Sequence, residues 1–278
     1  MKSFNLGAFL RAVFTQAKAD IRPTFVSTGL VGLLVGPAAI LAITYFALMD
    51  VQPQLRAIAA ISIVAAIAGL VIMQISAEIY QERVSGTLLR VRTLPHGPLS
   101  WAIGKSISTL FVTVLSQVLI LVGFYVLFPA LEFTALELLA MAVLLPAVAA
   151  AHVPLGLILG TLFRSTGLTL VIYLFAMALF STSGGFFPIT LLPRPVQYLH
   201  LVFPSYWSTH LARYVFGLST PKWEVGGSAQ PLLAIAVLAV WIIAGYAASA
   251  FMIKRSFRKE SIGSLASIQG AIRSQVGL

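Results

Sequence analysis

Six stretches of the chain contain no Asp, Glu, Lys or Arg, and each is long enough to cross a lipid bilayer. They run from Pro23 to Met49, Ala57 to Ala77, Ser106 to Leu131, Leu138 to Phe163, Ser165 to Pro193 and Val225 to Ile253. About 20 apolar residues span a hydrocarbon core as a helix, and a backbone in lipid has to satisfy its own hydrogen bonds. The expected fold is therefore an all-α integral membrane protein with six transmembrane helices. Hydrophobic residues make up 59% of the 278, above the roughly 45–50% of soluble domains, so no large soluble catalytic domain fits in what remains.

The net charge of +10 does not point to nucleic acid, because the cations are scattered between apolar spans rather than interleaved with aromatics on one surface. They follow topology instead. Lys2, Arg11, Lys18 and Arg22 precede the first span; Arg83, Arg90, Arg92 and Lys105 lie between the second and third; Arg164 follows the fourth; Lys254, Arg255, Arg258, Lys259 and Arg273 form the tail. The intervening connections hold only Arg56, Arg194, Arg213 and Lys222. Under the positive-inside rule both termini face the cytoplasm, and the protein is expected to be multi-pass in the cytoplasmic (inner) membrane. One transmembrane domain then covers 1–278: an amphipathic helix over 1–22, six spans over 23–253 and a cytoplasmic tail over 254–278. The first apolar run is too long for a signal-peptide core and is read as a retained span. With no cysteine, disulfides, thiol catalysis and cysteine metal sites are excluded.

Before the first span, Phe9, Leu10, Val13, Phe14, Ala17 and Ile21 recur at helical spacing with Arg11 and Lys18 opposite, the pattern of a helix lying on the inner membrane surface. Pro23 sits where a new helix can begin. Gly29, Gly32 and Gly36, and Gly156 and Gly160, give small faces on which helices of one protomer can approach closely. Pro37, Pro146 and Pro154 each free a carbonyl and predict kinks or local adjustments. His152 is the one ionisable side chain well inside a span; a neutral ring bonded to a freed carbonyl suits that position better than a proton site.

Residues 78–100 hold concentrated charge. Glu78 and Glu82 are one turn apart on a shared face, so a partner must relieve their repulsion. Ser85-Gly86 reads as a break, Thr87 to Arg92 as a second short helix, Pro95, Gly97 and Pro98 as a turn, and Ser100 as a candidate cap. After the fifth span, Ser183-Gly184-Gly185-Phe186-Phe187-Pro188 ends the helix. Pro193, Pro195 and Pro204 then divide an apolar segment over 184–220 that suits helices re-entering the outer leaflet. Trp207, Tyr214 and Trp223 are expected near the outer interface.

Gly104-Lys105-Ser106 looks like the end of a phosphate-binding loop, but Gly97 is two residues too far back and no strand precedes it. No zinc-protease histidine pair, serine elbow or ligand cluster occurs. The spans also lack the buried acids of ion-coupled carriers. With neither an ATP site nor an ion relay, the chain is no enzyme by itself, and energy for uphill transport would come from a partner.

The residues Tyr80-Gln81-Glu82-Arg83-Val84-Ser85-Gly86-Thr87-Leu88, then Leu94-Pro95 and Gly104-Lys105, resemble the cytoplasmic signature of type-2 ABC exporter permeases. Ser183-Gly184-Gly185-Phe186-Phe187-Pro188, Leu192-Pro193 and Phe203-Pro204-Ser205-Tyr206 are similar to that family's outer re-entrant hairpin. The resemblance implies a half-transporter that binds no cofactor itself. Two permease subunits, identical or closely related, would assemble in membrane lipid with separate ATP-binding cassette subunits that hold ATP and Mg. Coupling to the ATPase would fall to Glu78, Glu82, Arg83, Gly86, Thr87, Arg90 and Arg92. The helix around Phe9 to Ala17 would be the connecting helix. Substrate would be lined by Met73, Gln74, Tyr173, Met177, Phe180 and Ser181, and the outer gate would be Gly184, Gly185, Phe186, Phe187 and Pro188. Methionine and aromatic linings suit a hydrophobic or amphipathic molecule such as a drug, antibiotic or lipid. A lipid-linked polysaccharide exporter, a lipid-modifying membrane enzyme and an assembly scaffold are the alternatives.

Overall fold

The structure, a computed structural model, describes residues 5–26, 28–128 and 133–276, with the side chains of 264 and of residues from 271 onward outside that description. Lys2, the end of the third uncharged stretch at Leu131 and the Arg273 side chain therefore lie outside the described residues. In chain order the helices are α1 (Leu6–Ile21), α2 (Thr28–Leu48), α3 (Pro53–Ala66), α4 (Val71–Val84), α5 (Thr87–Arg92), α6 (Gly97–Leu127), α7 (Ala135–Leu162), α8 (Thr166–Thr182), α9 (Arg194–Val202), α10 (Pro204–Val215), α11 (Pro231–Arg258) and α12 (Ile262–Val276). No strand occurs among the described residues. Among the described residues, five helices are long and apolar enough to cross a membrane: α2, the continuous run Pro53–Val84, α6, α7 and α11. The helix in the fifth uncharged stretch, α8, is apolar but has 17 residues.

The run Pro53–Val84 is the axis of the bundle. Its 32 residues extend ~48 Å at 1.5 Å per residue, and 83% of its most apolar window is buried, against 17% for α2. A helix apolar all round is enclosed by other helices. Here α10 packs on α3, while α7 and α8 pack on α4. Between α3 and α4 the run tightens into a 3₁₀ turn at Ile67–Leu70.

Glycine sets two of the close seams. A Cβ at Gly156 would lie 3.2 Å from Ile72 Cα, and one at Gly160 would lie 3.1 Å from Ser76 Cα, so α7 meets α4 backbone to backbone, as expected for that pair. Gly32 and Gly36 behave differently from expectation: nothing lies within 4 Å of a Cβ at either position, and both line a cleft instead.

Other expectations are refined. Asn5 caps α1 by accepting the Ala8 amide at 3.0 Å. Only Val13 and Ala17 of the apolar stripe are buried, on α6, leaving Leu6, Leu10 and Phe14 exposed. Pro37, Pro146 and Pro154 sit inside continuous helices. Pro23 opens a 3₁₀ turn, Arg22–Phe25, and α2 begins only at Thr28. Ser100 does not cap α6: its hydroxyl donates to Gly97 O, and His96, with φ 54°, occupies the cap position. The last long helix runs through Ile253 to Arg258, so the expected boundary at 254 is helical; α12 then folds back until Gln269 Nε2 donates to Val84 O at 3.0 Å. Trp207 and Trp223 are buried rather than interfacial, whereas Tyr214 is 48% exposed.

The seam between α4 and α7 predicts that Gly156→Val costs about 1–3 kcal/mol by overpacking against backbone that cannot yield, while Gly32→Ala leaves stability unchanged or slightly raised. Thermal unfolding of the purified variants in one detergent checks this; equal midpoints for both would contradict the packing.

Candidate functional site

At the end of the bundle that carries α5, a single cation is surrounded by carboxylates from two helices. Lys105 Nζ lies 2.6 Å from Glu82 Oε1, 3.0 Å from Glu78 Oε2 and 2.9 Å from Asp20 Oδ2, with its side chain 2% exposed. Gly104 makes this possible, because a Cβ there would sit 2.9 Å from Val13 O and hold α1 away from α6. The remaining carboxylate oxygens are also occupied: Trp101 Nε1 donates to Glu82 Oε2 at 2.6 Å, Gln74 Nε2 to Glu78 Oε1 at 3.0 Å and Gln16 Nε2 to Asp20 Oδ1 at 2.9 Å. The repulsion between Glu78 and Glu82 is thus relieved within the chain, by Lys105.

A second anchor lies on the opposite side of α4. The Arg83 guanidinium is buried and donates to Glu260 Oε1 at 3.1 Å, Phe163 O at 3.1 Å and Gly160 O at 3.4 Å. The last two carbonyls belong to the C-terminal end of α7, where a cation complements the helix dipole. Glu260 also receives Arg164 at 3.2 Å, and its backbone carbonyl accepts from Arg92 Nη1. Arg83 is consequently an internal anchor and not a surface contact. Between these anchors, Gly86 adopts φ 74° and the short helix α5 projects with Arg90 and Arg92 exposed and Leu88 and Val91 buried; Thr87 Oγ1 pairs with Ser85 Oγ at 3.0 Å.

Beside Lys105 opens a cleft of about 980 Å³ between α1, α2, α4 and α6. Its polar end carries Asp20, Glu78, Glu82, Lys105 and Arg22, and its apolar end carries Gly32, Leu33 and Val112. A further pocket of about 170 Å³ shares Gly32, Gln74 and Ser116 with it and reaches Pro37, Ile67 and Ile120. The cleft is therefore amphipathic along its length.

The expected substrate-lining residues are divided. Gln74 lines this cleft. Met73 packs with Ile72 and Ile172 on the far side of α4, and Phe180 is buried in the main core with its ring 5.1 Å from Phe186. Tyr173 is half-buried and Met177 exposed on α8, and Ser181 bonds back to Met177 O at 2.8 Å.

The opposite end of the bundle is locked by a cluster that the expectations did not include. Arg213 on α10 makes a two-point pair with Glu224, at 2.8 and 2.9 Å, and reaches Ser62 Oγ on α3 at 3.2 Å and Gly184 O at 3.0 Å. Gln230 N donates to His210 Nε2 at 2.9 Å, so Nδ1 carries the proton that bonds Glu224 Oε2. Tyr206 hydroxyl donates to the same oxygen at 3.3 Å. Of the expected gate residues, Gly184 turns at φ 82°, Gly185 packs against Ala66 with room for no side chain beyond a 3.0 Å contact, and Phe186, Phe187 and Pro188 are half-buried. The readable signal was Tyr206, His210 and Arg213 at i, i+4 and i+7 on one face, followed by the one acid of that connection, Glu224.

Deeper in the bundle, His152 Nδ1 donates to Val148 O at 2.7 Å, leaving Nε2 to accept from Ser205 Oγ at 3.1 Å. The carbonyl used is that of the preceding turn and not the one freed by Pro154. His200 joins α9 to α8: Thr182 Oγ1 donates to Ala178 O and accepts from His200 Nε2 at 2.8 Å, while Nδ1 is buried without a partner.

A family model described as ABC-2 family transporter protein matches residues 24–244 of the chain. No curated protein matches it.

Two predictions follow from the ion clusters. Lys105→Met leaves three carboxylates without their cation and lowers stability by about 3–5 kcal/mol, whereas Lys105→Arg retains most of it; unfolding of both variants in detergent tests the difference. The hairpin end responds to acid in two windows. Burial lowers His200 from 6.5 to about 4, so its contribution is complete above pH 6.5 and is lost as pH falls to about 4. Burial pushes Glu224 up, but hydrogen bonds from Arg213 and His210 outweigh it and lower the carboxylate from 4.5 to about 2, so its contribution is complete above pH 4.5 and is lost as pH falls to about 2. Protection of the α9 amides, taken relative to their intrinsic exchange rate at each pH, should fall as the reconstituted protein is taken from pH 6.5 to about 4, and His200→Gln should remove that step while leaving the lower one.

Proposed function

The chain belongs to the ABC-2 family of transporter proteins as a multi-pass permease subunit of an ABC transporter, and on that premise we propose that it exports a hydrophobic or amphipathic substrate across the cytoplasmic membrane. The observation that carries the reading is the family match across 24–244. The power would come from a separate ATP-binding cassette subunit holding ATP and Mg, and a second permease subunit would complete the assembly. Six spans are proposed, α8 serving as the fifth: 17 residues reach the lower limit of about 17 for a transmembrane helix. The distribution of Lys and Arg supports placing α1, α5, α12 and both termini in the cytoplasm.

The exposed side of α5, with Arg90, Arg92 and Leu94, is the proposed docking surface for the ATPase. Its buried side and both flanks are fixed, to Lys105 through Glu78 and Glu82 and to Glu260 through Arg83. A displacement of α5 on ATP binding would therefore move α4 and α6 with it, and ATP would favour one arrangement by binding it more tightly. The amphipathic cleft supports a substrate with a polar head and an apolar body. Its polar end holds three carboxylates against Lys105, with Arg22 also lining the cleft, so a cationic or zwitterionic head fits better than an anionic one. The turn at Gly184 to Pro188 and the α9–α10 hairpin would govern release on the outer side.

Arg90→Glu should lower the yield of co-purified ATP-binding subunit several-fold with membrane insertion intact. Glu82→Ala should leave the assembled complex with substrate stimulation of its vanadate-sensitive ATPase reduced about tenfold. A tagged chain that repeatedly purifies intact without an ATP-binding subunit would falsify the reading, and wild-type stimulation in assembled Glu82→Ala would remove Glu82 from coupling.

A further inference from the structure

A cavity of about 200 Å³ lies between the C-terminal ends of α7 and α11. Three cations converge on it: Arg164 from the α7–α8 connection, and Arg255 and Lys259 one turn apart at the end of α11. Leu162 and Met252 form its apolar side, and Leu162 is 47% exposed on the flank of a membrane-spanning helix.

The local charge is not balanced by the protein. The acid beside the cavity is Glu260, and it is already shared by Arg83 at 3.1 Å and Arg164 at 3.2 Å. Arg255 and Lys259 form no ion pair among the described residues. Counting Arg83, Arg164, Arg255 and Lys259 against Glu260 leaves an excess of three positive charges around a cavity with an apolar wall. Cations at the end of a helix are expected from topology and from the helix dipole. Neither requires that cations from two separate elements meet around one cavity.

We infer that this cavity binds the phosphate headgroup of an anionic membrane phospholipid, with Arg255 and Lys259 pairing the phosphate, Arg164 steered between it and Glu260, and the acyl chains continuing along Leu162 and Met252. Basic pockets between the ends of spanning helices take acidic headgroups by this chemistry. A soluble phosphate would satisfy the cations equally but would leave the apolar wall uncovered. Because Arg164 and Arg83 share Glu260, and the Glu260 carbonyl holds Arg92, an occupied site would stiffen the base of α5. The inference requires only that the chain be embedded in a membrane and is independent of the substrate proposed above.

The test uses the full chain in detergent, with phosphatidylglycerol, phosphatidylcholine or inorganic phosphate added, and reads bound lipid by native mass spectrometry and stability by thermal unfolding. Phosphatidylglycerol should be retained and raise the unfolding midpoint over phosphatidylcholine. One basic residue near the membrane surface is worth about fivefold, so Arg255→Gln with Lys259→Gln should weaken retention about thirtyfold, while Arg255→Lys with Lys259→Arg should preserve it. The glutamine variant should unfold at the wild-type midpoint in phosphatidylcholine, which separates lost binding from misfolding. Equal retention of both lipids, or phosphatidylglycerol retention unchanged in the glutamine variant, would overturn the site. A midpoint shift with inorganic phosphate as large as with phosphatidylglycerol would overturn the lipid as its source.

Discussion

A buried ammonium has to be neutralised where it sits, and the way Lys105 is neutralised organises one whole end of this protein. Its side chain is 2% exposed and its three carboxylates come from α1 and α4, so the pairing ties α6 to the two elements that flank it. The geometry needs Gly104 next door to let α1 approach, and it needs Trp101, Gln74 and Gln16 to occupy the outer carboxylate oxygens. A cluster of this kind gains little over an apolar core in stability alone. What it achieves is registry: α1, α4 and α6 have one relative position in which every donor and acceptor is satisfied. It also leaves a surplus of negative charge at the mouth of the cleft, so the feature that fixes the helices sets the chemistry of the cavity between them.

The hairpin end solves the same problem with one acid. Glu224 accepts two bonds from Arg213, one from His210 and one from Tyr206, which makes a pair of opposite charges inside a cage of neutral donors. The cage spans three separate pieces of chain, because Arg213 also holds Ser62 of α3 and the carbonyl of Gly184. Within the interrupted segment after α8, α10 is thereby a fixed, interior part of the bundle, which is why Trp207 and Trp223 are inside: Trp207 donates to Leu201 O at 2.8 Å, and Trp223 lies under the Arg213 guanidinium at 5.6 Å.

Much of this architecture was legible in the residues because hydrocarbon imposes a strong rule. Uncharged runs mark the long helices, Ser85-Gly86 marks the break before α5, and the proline-rich stretch marks the interrupted hairpin. The sites were less legible, for a physical reason: charge in a sequence reads as exposure unless its partner is known. Arg83, Lys105 and Arg213 all counted as topology markers, yet each is buried against an acid, at separations of 177 residues for Arg83 with Glu260, 27 for Lys105 with Glu78 and 11 for Arg213 with Glu224. The i, i+4 spacing of Glu78 and Glu82 did announce that a cation was required, without saying which. For the cavity residues the obstacle was rotational. Met73 and Gln74 are neighbours about 100° apart on a 3.6-residue helix, and that angle puts one in the core with α8 and the other in the cleft with α2.

The two ends meet in the axis helix, and its middle is where the helix is not α. One half, α3, is held by Arg213 through Ser62, and the other, α4, is held by Lys105 and Glu260. The 3₁₀ turn at Ile67–Leu70 between them changes the hydrogen-bond pattern with no proline to force it, and short 3₁₀ stretches inside long helices are frequent hinge positions. Around it, Gly69 offers only a hydrogen atom to Ser205, His152 and Phe180, which a Cβ would meet at 3.7–3.9 Å, so α7, α8 and α10 all touch the helix at its least regular point. A rigid rod locked at both ends would transmit a push on α5 as a simple translation. A rod with a joint between two locks would let α4 tilt with α5 while α3 stays with the hairpin, so a displacement of α5 would reshape the cleft beside α4 without breaking the Arg213 cluster.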